Sequence, residues 1–527
     1  MADTYPYRLQ DGARVAVIGG GPAGAFFAWS LLEMATEAGR RLAVDIYEPR
    51  DFSQIGASGC NGCAGIVSES LVQRLAQEGI DLPASVVQRE IDSYVIHMDA
   101  GSATITPPRP GMRIAAVHRG AGPRDLRQAT WTGLDAHVLG LATARGARVI
   151  AQRVTDVAWV EGRPTVSTRA DDVQPYDLLA VTTGVNSSAL KLFSALVPGY
   201  QPPQTSKTFI REYFLGAATV DQTLGNAIQV FLLDIPRLDF GMLIPKGEYI
   251  TLCLLGEEVD NELLQAFLAA PEVRRCLPPG MALEKPSCQC APRINTLGAT
   301  QPYGDRVVFI GDSASTRLFK DGIGSAYRTA RAAAAAALEH GVAAEDFRRH
   351  YLPVCQAIEQ DNQAGRLIFA AVSQMRARRF ARNVVLQMIL DEQGQPGPLR
   401  RMSAVQWDMY TGSGSYRQIL LRLLHPALVW RAAKGVWAAL AARRRLPADP
   451  AQGAHRGEPD VGVAVAQQTA RLRDPLAHPG RAQQFHRAVA VHRQARERAL
   501  AGLLDGAPPA QDVDQGVTDQ LAGAQLA

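Results

Sequence analysis

Cysteine is scarce in this chain and odd in number. Seven cysteines in 527 residues cannot form the even framework that staples a small secreted domain, and they point to a reducing compartment. Excess charge is also missing: a net +4 over this length gives no whole-protein case for nucleic acid. No apolar run is long enough to span a bilayer. The opening residues Met1-Ala-Asp-Thr-Tyr-Pro-Tyr7 lack a basic region followed by an apolar one, so no signal peptide is expected. His97, His118, His340 and His350 have no metal-ligand spacing, and no metal site is expected. Beyond Pro447, lysine, tyrosine and tryptophan disappear and Phe485 is the only aromatic residue. Such a tail cannot bury enough surface to offset chain entropy, so 447–527 is expected to be disordered, with a transient helix near 483–504. These absences leave a cytoplasmic protein whose folded body ends near residue 446.

With 47% apolar residues that body can bury a large core, divided over roughly two or three domains. Its most informative stretch is Arg14-Val-Ala-Val-Ile-Gly-Gly-Gly-Pro-Ala-Gly24, which runs into Ala25-Phe-Phe-Ala-Trp-Ser-Leu-Leu32. A β-branched run, a glycine turn and a helical run read as strand, tight turn and helix. Gly19 allows the turn, Gly21 lets the backbone approach a pyrophosphate, and Gly24 lets helix and strand pack closely, so that Pro22 and Ala23 open a helix facing an anion. A second strand, Leu42-Ala-Val-Asp-Ile-Tyr-Glu48, ends in a carboxylate placed to accept from ribose hydroxyls. Together these predict a dinucleotide site.

Further along, 134–146 reads as a helix with a glycine stop and 147–160 as strand-rich sequence. Tyr176 to Gly184 is a buried strand whose glycine end suits the approach of a ligand. From about 205 to 290 alternating β-type runs dominate, such as Ile228–Asp234 and Tyr249–Leu255, with a helix at 261–268 and another after Pro271. The chain then returns to a buried strand, Asp305-Arg-Val-Val-Phe-Ile-Gly-Asp312, and an Ala-rich helix around 330–338. Residues 345–446 read as mostly helical, broken at Thr411-Gly-Ser-Gly-Ser415. Gly311-Asp312 followed by Asp321-Gly-Ile-Gly-Ser-Ala326 repeats the strand-end and helix-start logic: a carboxylate for a ribityl hydroxyl, and backbone N–H groups near Gly322 and Ile323 for an electron-rich ring edge.

The chain resembles the geranylgeranyl reductase family of FAD-dependent oxidoreductases, within the wider p-hydroxybenzoate hydroxylase-like flavoproteins, over roughly residues 12–345. Three places carry the resemblance: Gly19 to Gly24 with Glu48, the segment Cys63-Ala-Gly-Ile-Val-Ser68, and Gly311-Asp312 with Asp321-Gly-Ile323. It implies an α/β fold: a discontinuous Rossmann-type FAD-binding domain (12–190 and 291–345), an inserted mixed β-sheet substrate domain (191–290), a helical C-terminal region (346–446) and the tail. It also implies that Cys63 opens a loop beside the flavin, and that Arg119 with Leu134-Asp135 answers the family's Arg-x-x-Phe-Asp region. The family's substrate motif is replaced by Phe240-Gly-Met-Leu-Ile-Pro-Lys246, and its second signature by Gly311-Asp-Ser-Ala-Ser-Thr-Arg-Leu-Phe-Lys320. Arg317 and Lys320 would there add positive charge near the flavin or at the cavity entrance.

The activity so implied is FAD-dependent reduction of an apolar, unsaturated, prenyl-like small molecule, with NAD(P)H as electron donor and Cys63 or an ordered water as proton donor. A flavin monooxygenase is the alternative, and a non-enzymatic electron carrier a third reading. Cys60-Asn-Gly-Cys63 would suit a dithiol oxidoreductase, although no second glycine-rich nucleotide turn follows residue 150. Nothing in the sequence brings Cys288-Gln-Cys290 to that pair as a four-sulfur site, and Cys253, Cys276 and Cys355 fit core positions. His118, beside Arg119, is the histidine placed to move protons near a flavin. The basic, amphipathic stretch 417–446, with Trp430 and Trp437, reads either as a helix packed on the body or as a peripheral contact with the inner face of a membrane. The basic segment 376–382 reads as a solvated helix face, with contact to an anionic membrane surface as the alternative. The oligomeric state is left open.

Overall fold

A computed structural model describes residues 6–60, 62, 64–109, 114–126, 130–170 and 173–445, with side chains to 438. Cys63 and the tail from 446 onward lie outside the described residues. Residues 6–72 and 82–445 belong to one compact unit, and 73–81 to a second.

The strand Arg14–Ile18 lies inside a six-stranded sheet, flanked by Ala43–Tyr47 and Leu178–Val181. Both neighbours are parallel to it, in the registers Val15↔Leu178 and Val15↔Val44. Val307–Phe309 and Arg148–Ile150 continue the sheet in parallel, and Tyr303–Gly304 adds a short antiparallel edge. Val15, Ala16, Val17 and Ile18 are all buried, as expected of a parallel strand covered on both faces. The helix Pro22–Glu37 is buried from Pro22 through Leu32 and packs on the helices Leu134–Ala144 and Gly322–Ala335. The Rossmann-type α/β architecture predicted from the glycine turn is present.

The β-rich region builds a seven-stranded mixed sheet in the order Cys288–Cys290, Phe209–Phe214, Tyr249–Gly256, Leu238–Lys246, Ala227–Phe231, Ser93–Met98 and Gly101–Ile105. Its last two strands come from residues 93–105, well ahead of 191–290, and Ser93–Met98 pairs in parallel with Ala227–Phe231. One face carries Tyr213, Leu243, Ile250, Leu252 and Leu254 under the helix Asn261–Ala269. The other carries Ile210, Met242, Ile244, Cys253 and Leu255, packed partly against the C-terminal helices through Ile368, Trp407 and Tyr410. Burial on both faces explains why Tyr249–Gly256 reads as an unbroken apolar run.

Helices occupy most of 344–445, and the Gly/Ser break separates Arg401–Thr411 from Tyr416–Leu423. Leu428 anchors the helix Pro426–Arg445 in the core, while Trp430 and Trp437 are 67% and 73% exposed on it. Among the described residues no helix is long and apolar enough to cross a membrane.

Gly24 tests the strand–turn–helix packing most directly. A Cβ there would stand 1.9 Å from the Gly19 carbonyl oxygen and 2.8 Å from Thr182 Oγ1. Gly24→Ala is expected to destabilise the protein by about 3 kcal/mol or more. Gly140→Ala, in an open helical position, should instead gain about 0.5–1 kcal/mol. Denaturant unfolding of the two variants checks the contrast.

Candidate active site

The two glycine-bearing turns meet at a cavity of about 1630 Å³. Gly19, Gly21, Pro22, Ala23, Glu48, Arg119, Gly184, Asp312, Gly322 and Ile323 all line it. Gly24 and Gly311 are not among the lining residues and act behind the wall. Gly311, at φ +67°, faces the Ala23 side chain so closely that a Cβ would come within 2.7 Å of it.

Glu48 is 2% exposed and accepts from the Gly20 N–H at 2.9 Å and from the Arg50 N–H at 3.0 Å. It is thereby fixed at the mouth of the turn. The helices Pro22–Glu37 and Gly322–Ala335 both begin at the cavity without a side-chain cap and without an acidic first turn, which leaves their N-terminal N–H groups to an anion. Arg119 is held by Asp135 through paired bonds of 2.5 and 2.8 Å. Asp312 accepts from Thr316 Oγ1 at 2.6 Å. Burial pushes its carboxyl up, against the Thr316 bond and the nearby Arg119.

A second set of polar groups lines the cavity on the face of the seven-stranded sheet. The registers Glu212↔Thr251 and Ile244↔Thr251 bring Glu212 and Thr251 side by side, with Lys246 two residues beyond Ile244 on the same face. Glu212 Oε1 takes Thr251 Oγ1 at 2.9 Å, Lys246 Nζ at 3.3 Å and lies 3.6 Å from His118 Nδ1. Burial alone pushes the Glu212 carboxyl up, but Lys246, His118 and Thr251 outweigh it and hold it below the usual carboxylate range. His118 stacks on Trp131 at 4.5 Å. Desolvation pushes its imidazole down to about 4, with Glu212 opposing and Lys246 assisting. Neutral His118 keeps a buried Nε2 with no hydrogen-bond partner among the described residues.

Of these groups the sequence singled out His118 alone. The available signal was a glutamate and a lysine at inward positions of otherwise apolar strands. Arg317 lines the cavity, and its guanidinium also donates to the Gly412 and Gly414 carbonyls at 2.6 and 2.5 Å and lies over Tyr416, so it ties chain segments together there. Cys60 lines the cavity and is exposed there. The segments around Cys60 and Cys290 also meet, since a Cβ on Gly62 would come within 3.3 Å of Cys290 Sγ. Burial pushes the Cys288 thiol up to about 12. Among the described residues no group of three or more metal-ligating side chains is placed to hold an ion.

Three solved structures that share this architecture each have 14% sequence identity to the chain. One is p-nitrophenol 4-monooxygenase from Pseudomonas putida DLL-E4, with a TM-score of 0.54 over 77% of this chain and 99% of that one. A variant of the halogenase PltM in complex with FAD gives 0.52 over 83% and 93%. The flavin-dependent brominase Bmp2 gives 0.52 over 82% and 100%. At these identities the likeness is one of fold. No family model and no curated protein matches the chain.

The titration of His118 has a measurable consequence. Between pH 6.5 and about 4 the unfolded chain takes up a proton that folded His118 refuses, so stability falls as pH drops through that window. From this one group the slope approaches about 1.4 kcal/mol per pH unit. Denaturant unfolding at pH 4.5 and 6.5 should show a smaller difference for His118→Gln than for the wild type.

Proposed function

We propose that the chain is an FAD-dependent oxidoreductase. The observation that carries this reading is the convergence of both turns on one cavity: Gly19 to Ala23 with Glu48, and Asp312 with Gly322 and Ile323. The residues fit a dinucleotide, because two uncapped helix N-termini offer N–H donors and the two carboxylates can accept from ribose and ribityl hydroxyls. When bound, the flavin supplies two-electron chemistry. Electrons are proposed to come from NAD(P)H in solution. A role for Cys63 as proton donor belongs to the same proposal and rests on the family resemblance alone.

Two readings of the substrate follow from the sequence: reduction of an apolar, prenyl-like molecule, or oxygen-dependent chemistry of the monooxygenase type. The cavity wall favours the second. A purely apolar substrate would leave the buried His118 Nε2 without a partner, and an unsatisfied buried polar atom is costly. A substrate with a hydroxyl or ionisable group would pair with Nε2, and neutral His118 could accept its proton while Glu212 holds the ring. Trp131 and Tyr249 pack against the His118 ring from behind the cavity lining.

The purified protein should be yellow and release FAD on denaturation, and Asp312→Ala should weaken FAD binding by about 1–3 kcal/mol. A colourless protein that cannot be reconstituted with FAD would refute the reading. Anaerobic mixing with NADH or NADPH should bleach the flavin. Reoxidation that oxygen drives, and that a prenyl lipid alone does not, separates the two substrate readings.

The helix Pro426–Arg445 supports a further proposal, a peripheral contact with an anionic membrane. Trp430, Trp437, Leu421 and Leu424 form exposed apolar positions beside the exposed cations Arg417 and Lys434, the composition of an interfacial surface. Replacing Trp430 and Trp437 together by Ser should reduce co-sedimentation with phosphatidylglycerol vesicles several-fold while flavin content stays unchanged.

A further inference from the structure

Lys320 contrasts with three other cations that line the cavity. Lys246 has Glu212, Arg119 has Asp135, and Arg317 has two carbonyl oxygens. Among the described residues no carboxylate pairs with Lys320. Its Nζ lies 3.8 Å from Met242 Sδ, 5.0 Å from the centre of the Phe240 ring and 6.0 Å from that of Tyr410. It lines both the main cavity and a small side chamber of about 50 Å³.

The backbone holds the side chain there at a cost. Phe319 and Asp321, on either side of it, have φ of +60° and +54°, a left-handed conformation that non-glycine residues adopt rarely and with strain. Asp321 is unavailable as a counterion, because it already accepts from Arg328 at 2.9 Å and from Ser68 at 3.2 Å. Aromatic faces and a thioether stabilise an ammonium only partly, and burial accordingly pushes Lys320 down to about 8. At neutral pH it is still mostly charged, which suits electrostatic binding better than nucleophilic attack.

We propose that Lys320 anchors the anionic group of a substrate in the cavity, an organic carboxylate or phenolate whose body lies against Phe240 and Tyr410. The anion supplies the counterion that the protein withholds, and it does so at one pole of the sheet face. Met242 and Lys246 are four residues apart on one strand, about 13 Å, so a substrate anchored at Lys320 extends towards His118 at the other pole. The inference deepens the proposed function by naming the charge of its substrate, and it rests on the cavity whether or not a flavin is bound.

Isothermal titration calorimetry of the protein as purified, with its FAD content recorded, tests it using sodium benzoate as the probe and benzamide as the neutral isostere. Benzoate is expected to bind the wild type at least tenfold more tightly than benzamide does. Lys320→Met should weaken benzoate at least tenfold and leave benzamide unchanged, and Lys320→Arg should retain most of the benzoate affinity. Lys320→Met should also unfold at a higher temperature, since it removes a desolvated charge that lacks a counterion, and this separates lost binding from misfolding. Equal affinity of wild type and Lys320→Met for benzoate, or no preference of the wild type for benzoate over benzamide, would overturn the proposal. A Lys320→Met variant with unchanged benzoate affinity and a lowered flavin reduction potential would assign the charge to the cofactor instead, which also overturns it. Absence of FAD with benzoate binding intact would count against the oxidoreductase reading alone.

Discussion

Everything at the cavity depends on how one connection, residues 311–322, is held between the two sheets. It leaves the parallel sheet at Gly311 and ends where the helix Gly322–Ala335 begins. Asn362 clamps it from one side, accepting from the Leu318 N–H and donating to the Thr316 carbonyl, each at 2.9 Å. The Arg317 N–H donates to Ser325 Oγ at 3.0 Å, and the Arg317 guanidinium reaches across to Gly412 and Gly414. With its backbone groups satisfied on several sides, the connection can tolerate two left-handed residues. Asp312 and Lys320 are thereby presented from a segment with little freedom to rearrange, the condition under which a fixed charge or acceptor is worth most.

The seven-stranded sheet contributes a different kind of constraint. Its cavity face is built of apolar residues except where Glu212, Thr251 and Lys246 fall together by register. A buried ion pair of this kind is weak evidence for stability, since the desolvation of two charges consumes most of their mutual attraction. The pair is therefore better explained by what it does to its neighbour. With Glu212 held by Lys246 and Thr251, His118 is oriented by a fixed carboxylate while desolvation keeps its imidazole neutral, and its ring is further fixed by stacking on Trp131.

The parts legible in the sequence are the local ones. The Gly19–Gly24 turn and the position of Glu48 depend on residues close in the chain, so strand periodicity and glycine spacing sufficed to place them at one site. The second signature was legible for the same reason, because Asp312 ends a strand and Gly322 starts a helix. The Glu212–Lys246–His118 cluster was not, because it is assembled by register between strands separated by dozens of residues, and alternation within each strand says nothing of its partner. The strands at 93–105 escaped for a related reason, since only tertiary pairing assigns them to the later sheet. Arg317 was legible in part: its charge next to the second motif does line the cavity, while its backbone carbonyl partners almost a hundred residues away could not be read locally.

The distribution of charge along the cavity then limits what can react there. At the two turns, amide N–H groups and helix N-termini favour an extended anion, and in the proposed function the carboxylates of Glu48 and Asp312 would accept hydroxyls beside it. Around the sheet, His118 Nε2 and Lys320 Nζ are two positions without an oxygen or nitrogen partner among the described residues, alongside the buried Tyr410 hydroxyl. A ligand that satisfies both must be polar at two ends and apolar between them, because Ile244, Met242 and Leu255 line the same face. That pattern argues for a substrate held in one orientation, with a proton acceptor at one end and a counter-charge at the other. An isoprenoid chain, uniform along its length, would have no reason to prefer either direction.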